Sequence, residues 1–488
     1  MSDVAGVVGG VALLLAGTQE RPPIRNLVLV TLDTLRADHV GCYGYFRDTT
    51  PHLDAFAAEC LRFEQCFTPV AQTTPSHASL MTGVGPIEHG VLNNHGKGPD
   101  GEKTDYGLRT AATLQTLAQI LAAQGVRTGG FVSATPAKKS TGLGAGFDRF
   151  TEPEEFRRSA TTTLADAMEF LGEASPTPCF AWIHLYDDHG PYQWSADLKP
   201  YLTRYPDDER LHAWMKPRGF PERVTSPLGG EASAAHVINS YDGAVRFQDD
   251  QLESLFARLR EPDLAASTVV VVVADHGTSD GQHDDATHGM CWEEQLQVPL
   301  LIKIPGHAPG VVATRLSTLD LWPTIAALAP ELPLAPFLGQ CAGSDALAPD
   351  YEPRPHFSFS AKKLGFYSVR NGRWKLLRTP NGREFLFDLD TDPNELAECT
   401  SAHADVVAKL DKLLDQELRR EQKRRELHLA TIGKGTGEID PAIRAELEKL
   451  GYTDGDDSPA GAEPPAQPPV KPVKKADEQK TGEKPAGG

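Results

Sequence analysis

Residues 73–83 read Thr73-Thr74-Pro75-Ser76-His77-Ala78-Ser79-Leu80-Met81-Thr82-Gly83. A polar approach from Pro69 to Thr74 runs into helix formers and stops at Gly83. Thr73 or Thr74 is expected at the N-cap, with Pro75 in the first turn. A hydroxyl placed there faces unbonded backbone N–H groups and the positive end of a helix dipole, a setting suited to an anion. Taken alone, such a Thr-Pro-Ser is an ordinary helix cap. Its meaning depends on the residues that the fold brings to it.

Three apolar, β-branched runs bracket the stretch. Residues 26–32 (NLVLVTL), 180–186 (FAWIHLY) and 268–274 (TVVVVVA) each read as strands buried on both faces, the kind found in parallel sheets. Each is followed at once by an acid: Asp33, Asp187 with Asp188, and Asp275. Open α/β sheets bind ligands at the carboxyl ends of their strands, so Asp33 and Asp275 are expected to converge with Thr73 and His276. Asp275-His276, with His283 and His288 close behind, has the composition of a metal site. Neutral imidazole among the ligands favours zinc or manganese, with calcium also compatible. Helices are expected over 51–58, 108–124, 237–259, 317–328 and 404–429. Residues 355–390 read instead as short strands joined by Asn-Gly turns, an antiparallel meander.

The pattern resembles the sulfatase family, within the alkaline phosphatase superfamily. Pro75, Ser76, Thr82 and Gly83 match that family's signature. Thr73 stands where the family has the Cys or Ser destined to become formylglycine, and His77 stands where it has Arg. The segment from His184 to Tyr192 resembles the family's His-x-x-Asp-Pro-His-x-Pro-Tyr, with Asp188 in place of Pro. Many relatives carry a second acid beside Asp33, where this chain has Thr34. The resemblance implies an α/β fold with a large, mostly parallel sheet sandwiched by helices and a small antiparallel C-terminal subdomain. It implies a divalent metal held by Asp33, Thr73, Asp275 and His276. Thr73 would be the metal-activated nucleophile, with His189 and His288 handling the leaving oxygen. Asn94, placed as a donor is in the related Thr-nucleophile phosphodiesterases, would bind the substrate's oxygens. Lys138 and Lys139 lie near a position where many sulfatases have Lys, but shifted from it.

The implied activity is hydrolysis of sulfuric or phosphoric (phosphonate) esters. A phosphoryl-group transferase and a silent binding homologue are the alternatives. Threonine cannot become formylglycine, and a sulfated Thr must be attacked at sulfur, so phosphoester chemistry stands slightly ahead of sulfate.

The net charge of −19 over 488 residues argues against nucleic acid as a partner. The expected partner is a small-molecule, glycan-linked or lipid-linked sulfate or phosphate ester, without stable membrane insertion. The seven cysteines form no CxxC pair, although Cys60 with Cys66 stays open as a disulfide. The expected division is 1–24 as an N-terminal segment, 25–350 as the catalytic domain, 351–452 as the C-terminal subdomain and 453–488 as a Pro- and Lys-rich disordered tail. The apolar run 4–16 lacks a preceding Lys or Arg, which leaves export or cytoplasmic residence open.

Overall fold

The computed structural model describes residues 23–94, 107–110, 113–173, 175–225 and 230–429. The apolar run 4–16 and the tail from 453 lie outside them. The strands in chain order are β1 (Asn26–Leu32), β2 (Leu61–Phe67), β3 (Arg127–Val132), β4 (Arg149–Thr151) and β5 (Cys179–Leu185). A two-stranded ribbon of β6 (Arg223–Thr225) and β7 (Glu231–Ser233) precedes β8 (Thr268–Ala274), β9 (Gln297–Lys303), β10 (Gly310–Val312) and β11 (Leu316–Ser317). The last four are β12 (His356–Phe359), β13 (Tyr367–Asn371), β14 (Trp374–Arg378) and β15 (Glu384–Asp388).

Nine strands form one mixed, mostly parallel sheet in the order β10-β2-β9-β8-β1-β5-β3-β4, with β11 pairing to β2. Only β9 runs antiparallel to its neighbours β2 and β8. β1, β5 and β8 are buried along their whole length, which is why their sequences are continuous apolar runs rather than alternating ones. Helices flank the sheet. Ala160–Gly172 packs on β3 and β5, and Ala234–Leu259 packs on Ala160–Gly172 and Pro51–Ala57.

Register decides where the site forms. Leu32 of β1 pairs with Leu185 of β5 and Ala274 of β8. The three central strands therefore end at one level, and Asp33, Tyr186 and Asp275 leave the sheet side by side. The chain ties this exit with Asp33 N–H donating to Leu185 O at 3.0 Å and Asp275 N–H to Leu32 O at 3.3 Å.

Two local expectations are corrected. The helix expected over 108–124 is confined to Leu117–Ala123, opened by a Thr116/Gln119 capping box. Leu108 is buried by loop packing instead, its N–H bonded to Thr141 O. The signature helix is Thr73–Thr82, and its N-cap is Gln72, not Thr73 or Thr74. Gln72 is extended, with φ −156° and ψ 141°, and its carbonyl already accepts from Ser76 N–H. Thr73 is thus the first helical residue, its side chain released from capping. All seven cysteines are free, Cys60 and Cys66 included. Among the described residues no helix is long and apolar enough to cross a membrane.

The C-terminal meander β12-β13-β14-β15 is antiparallel, as expected. The helix Ala404–Leu429 docks on it through Val407, Leu410 and Leu414. Both elements lace back onto the signature region. Phe359 N–H donates to Pro69 O, and His356 Nε2 contacts Thr68 O at 3.1 Å. Glu421 Oε2 accepts from the backbone N–H groups of Ile87 and Glu88. Burial, then the charges of Glu417 and Glu88, push the Glu421 carboxyl up to about 8. Its contribution to stability is therefore complete below the usual 4.5 and is lost as pH rises through about 8. Glu421→Gln, which can still accept from those amides, is expected to match wild type in Tm near pH 4.5 and to exceed it at pH 8–9. Equal Tm values at both pH values would contradict that reading.

Candidate active site

The signature helix is buried over all ten residues. Its polar side chains are tied down one by one. Thr74 Oγ1 donates to Pro136 O at 2.8 Å, Ser76 Oγ to Asp275 O at 2.7 Å, and Thr82 Oγ1 to Ala78 O at 2.6 Å. Ser79 Oγ meets His89 Nε2 at 3.0 Å. His77 is fixed by a relay. Trp182 Nε1 donates to Thr31 Oγ1, which donates to His77 Nε2 at 3.0 Å, and His77 Nδ1 donates to Thr73 O at 2.8 Å. A carbonyl only accepts, so this tautomer follows from the partners. Burial, then His184, hold His77 well below the usual imidazole range. The residue at the signature's Arg position is thus a neutral clamp between helix and sheet.

Thr73 Oγ1 alone on this helix is buried with no hydrogen-bond partner. It lies close enough to Asp33 to favour that carboxylate's charge, without meeting hydrogen-bond geometry. Around it, Asp33 Oδ1, Asp275 Oδ2 and His276 Nε2 are also buried without a partner. Ligand atoms of Asp33, Asp275 and His276 lie within 4.8 Å of one another. Their other atoms are committed. Asp33 Oδ2 meets His184 Nε2 at 3.2 Å, Asp275 Oδ1 accepts from His276 N–H at 2.7 Å and Thr34 N–H at 3.2 Å, and His276 Nδ1 donates to Gly277 O at 2.9 Å. Each residue thus keeps one open donor atom for a shared centre. Burial pushes Asp33 up to about 8, and burial with the Asp33 charge holds Asp275 well above the carboxylate range. Burial also holds His276 well below the imidazole range, so its Nε2 keeps a lone pair. Two buried carboxylates, a neutral imidazole and a hydroxyl, all with open donor atoms, fit a divalent cation.

His276 lies against His288, ring centroids 4.4 Å apart and planes tilted by 36°, and His288 meets His189 through Nε2 atoms 3.1 Å apart. His288 Nδ1 is held by Ala71 O at 3.0 Å and His189 Nδ1 by Gly190 O at 2.5 Å. Asn94 is fully buried, with Oδ1 accepting from Thr74 N–H at 2.9 Å and Nδ2 without a partner. That bond fixes the amide so that its donor end is the free one. The structure therefore gathers Asp33, Thr73, Asn94, His189, Asp275, His276 and His288. It does not bring in His283, which stacks on Trp292 and faces Glu294 at 3.6 Å. Lys138 contacts Glu154 O at 3.4 Å, and Lys139 is exposed.

Arg157 gave no sequence signal, and neither did the backbone conformation of Thr34. Arg157 Nη1 donates to His189 O at 3.1 Å, its guanidinium stacked on Phe156, Tyr186 and Trp194. Its charge favours ionisation of both Asp33 and Asp187. Thr34 adopts φ 56°, the left-handed region, which is strained for a β-branched residue by about 1–3 kcal/mol. It is held there by Tyr241, whose hydroxyl donates to Thr34 O at 2.8 Å.

The sulfatase family model matches residues 25–331, more than half of the chain. The chain belongs to the sulfatase family. It is a hydrolase of ester bonds, with the fold that the family resemblance implied. Bovine (Bos taurus) arylsulfatase A is 29% identical to this sulfatase-family chain over 402 residues, 72% of this chain and 74% of that protein. The phosphonate monoester hydrolase of Agrobacterium radiobacter shares the fold with TM-score 0.57 and 19% identity, covering 82% of this chain and 96% of that one. A structure solved with its substrate D-glucosamine-2-N,6-O-disulfate gives TM-score 0.61 and 18% identity, covering 83% of this sulfatase-family chain and 99% of the other.

Proposed function

We propose that this sulfatase-family protein hydrolyses a phosphate or phosphonate ester, with a sulfate ester as second reading, using Thr73 as nucleophile beside a divalent cation. The carrying observation is that Thr73 Oγ1, Asp33 Oδ1, Asp275 Oδ2 and His276 Nε2 are all buried with open donor atoms. Asp33, Thr73, Asp275 and His276 would hold the cation. When bound, it supplies Lewis acidity that lowers the Thr73 hydroxyl pKa and offsets charge on the transferred group.

The chain's own groups do the rest. Thr73 Oγ1 releases its proton to solvent water and attacks phosphorus or sulfur in line, and the bond to the leaving alcohol oxygen breaks. The positive end of the signature helix and the free Asn94 Nδ2–H face the developing charge. His189 and His288 handle the leaving oxygen. Each has Nδ1 donated to a backbone carbonyl, so their 3.1 Å Nε2 contact is a hydrogen bond only when the pair carries an added proton. Burial opposes that proton in the free protein, and burial, joined by the Lys362 charge, pushes His288 down to about 4. An incoming anion favours it, so the substrate loads its own general acid. Water then attacks phosphorus or sulfur of the Thr73 ester, and the bond to Oγ1 breaks.

The substrate preference rests on Thr73, which has no route to formylglycine, and on the shared fold of a phosphonate monoester hydrolase. The sulfate reading rests on family membership and on the arylsulfatase A similarity. A sulfated or phosphorylated sugar is the natural class to test, given the disulfated glucosamine bound by a protein of this fold. This reading assigns residues 25–350 to catalysis and the described residues 351–429 to bracing it.

Matched p-nitrophenyl sulfate, phosphate, phosphodiester and phosphonate esters decide between the readings. Turnover of a phosphorus ester ahead of sulfate supports the first, and the reverse order supports the second. Asn94→Ala is expected to reduce kcat by roughly 10²-fold, as for loss of one oxyanion donor, and to lower Tm by a few degrees because Thr74 N–H loses its buried acceptor. An unchanged kcat would remove Asn94 from the site.

A further inference from the structure

A second cluster of metal-ligating side chains lies outside the reaction centre. His283 comes from the segment after β8, Glu294 from the short helix Glu293–Leu296 and Glu395 from the turn that follows β15. One ligand atom from each lies within 4.8 Å of the others. The His283 and Glu294 side chains are each 8% exposed, and that of Glu395 is 0% exposed. His283 Nε2 is buried with no hydrogen-bond partner. It stands 3.6 Å from Glu294 Oε2. That is too far for a hydrogen bond and close to the spacing of about 3.4 Å between two ligands that share one zinc ion. Trp292 stacks on the imidazole, ring centroids 3.9 Å apart, and fixes its plane. Glu294 Oε1 accepts from Ser279 Oγ at 2.5 Å and Glu395 Oε2 from Glu293 N–H at 2.7 Å, so each carboxylate is anchored through one oxygen.

The surrounding charges favour a cation in the cluster. Lys375 Nζ lies 2.8 Å from Glu395 Oε1 and 2.9 Å from Glu293 Oε1, and Arg370 pairs with the other Glu293 oxygen. Those two cations offset Glu293 and Glu395, which leaves Glu294 to His283. Even with Lys375 beside it, burial pushes the Glu395 carboxyl up to about 7. Burial opposes a charge on His283, yet Glu294 outweighs it and holds the imidazole above its ordinary value. A proton on His283 is one way to meet this demand, and a divalent cation shared by all three residues is the other. We infer that His283, Glu294 and Glu395 form a second cation site, separate from the one at Thr73, for zinc or a similar borderline divalent ion. The ion would pin the segment after β8 to the C-terminal meander. This inference does not depend on the reaction proposed above.

The test is equilibrium dialysis of full-length, chelator-stripped wild type and Asp275→Asn against Zn²⁺, without substrate, with the visible spectrum of added Co²⁺ as a second probe. Asp275→Asn removes a ligand of the site at Thr73, so an ion it still binds is held elsewhere. It is expected to retain one ion per chain and to gain Tm with zinc. Adding His283→Gln is expected to weaken that binding by at least the roughly 10- to 100-fold that even outer-shell losses cost, and to remove the cobalt absorption. Glu395→Gln, which still accepts from Glu293 N–H, is expected to do the same and serves if His283→Gln does not fold. Far-ultraviolet circular dichroism and Tm of the stripped variants verify folding. If wild type binds one ion and Asp275→Asn binds none, this inference fails and the site at Thr73 stands. Zinc held by Asp275→Asn with unchanged affinity after His283→Gln and Glu395→Gln also overturns it, as does wild type that binds no ion.

Discussion

Thr73→Ala is expected to abolish ester hydrolysis, with kcat falling by roughly 10³-fold or more, as for loss of an enzymic nucleophile. The fold should not suffer. Every other polar side chain of the signature helix holds its own partner, and Thr73 Oγ1 holds none. The change removes a hydroxyl and a methyl from one helical turn and replaces Thr with a better helix former. Tm should stay within a few degrees, since about 1 kcal/mol moves a large domain by less than about 4 °C. Thr73→Ser retains the oxygen and should retain measurable turnover. The pair is read by steady-state kinetics on the best p-nitrophenyl ester and by trapping of the Thr73 ester in acid-quenched wild type. An alanine variant with wild-type kcat would sink the nucleophile assignment outright.

Asp275→Asn is expected to move stability and activity in opposite directions. The amide oxygen can still accept from Thr34 N–H and His276 N–H, so the local geometry has its bonds. What disappears is a buried carboxyl that, without metal, must either take up a proton or carry a charge opposed by Asp33. In chelator-treated protein the variant should be more stable than wild type by ~1–3 kcal/mol, a rise of a few degrees in Tm. With saturating metal the order should reverse, because only wild type gains the linkage term of about 4 kcal/mol at a thousandfold excess over Kd. Activity should fall by roughly 10²-fold or more with the loss of the cation.

The pH dependence has a definite sign. Asp33 in the metal-free protein ionises near 8, against 3.8 for a free carboxyl. The folded state therefore holds a proton that the unfolded chain has released. That stability is complete below about pH 4 and drains away as pH climbs through 8. Metal-free wild type should lose Tm over this window, and added metal should restore most at the alkaline end. A Tm indifferent to chelator and pH would contradict the cation site.

The strands were legible where chemistry and burial coincide. β1 and β8 follow their apolar runs end to end because both faces are covered, so no polar position interrupts the pattern. Their terminal acids could be read for the same reason: a carboxylate closing such a run must lie at a sheet edge. The 108–124 helix misled because Leu108 and Leu114 are apolar for loop packing, not for a helical face. The N-cap misled because Thr73 carries a capping side chain in a helix that starts one residue early. Arg157 was illegible in a deeper sense. Its role depends on which neighbours separate loops bring within reach, and no local spacing encodes that.

The lacing of the C-terminal sheet and helix onto residues 68–70 and 87–88 bears on biosynthesis. The segment that enters the signature helix takes backbone and side-chain bonds from β12, and the turn beyond that helix is capped by Glu421. Translation delivers those partners some 290 to 330 residues after the segments they hold. A nascent chain carrying every catalytic side chain would still lack the supports of its own reaction centre. Activity is therefore expected to arrive late in synthesis, once β12 and the helix through residue 429 have emerged and docked.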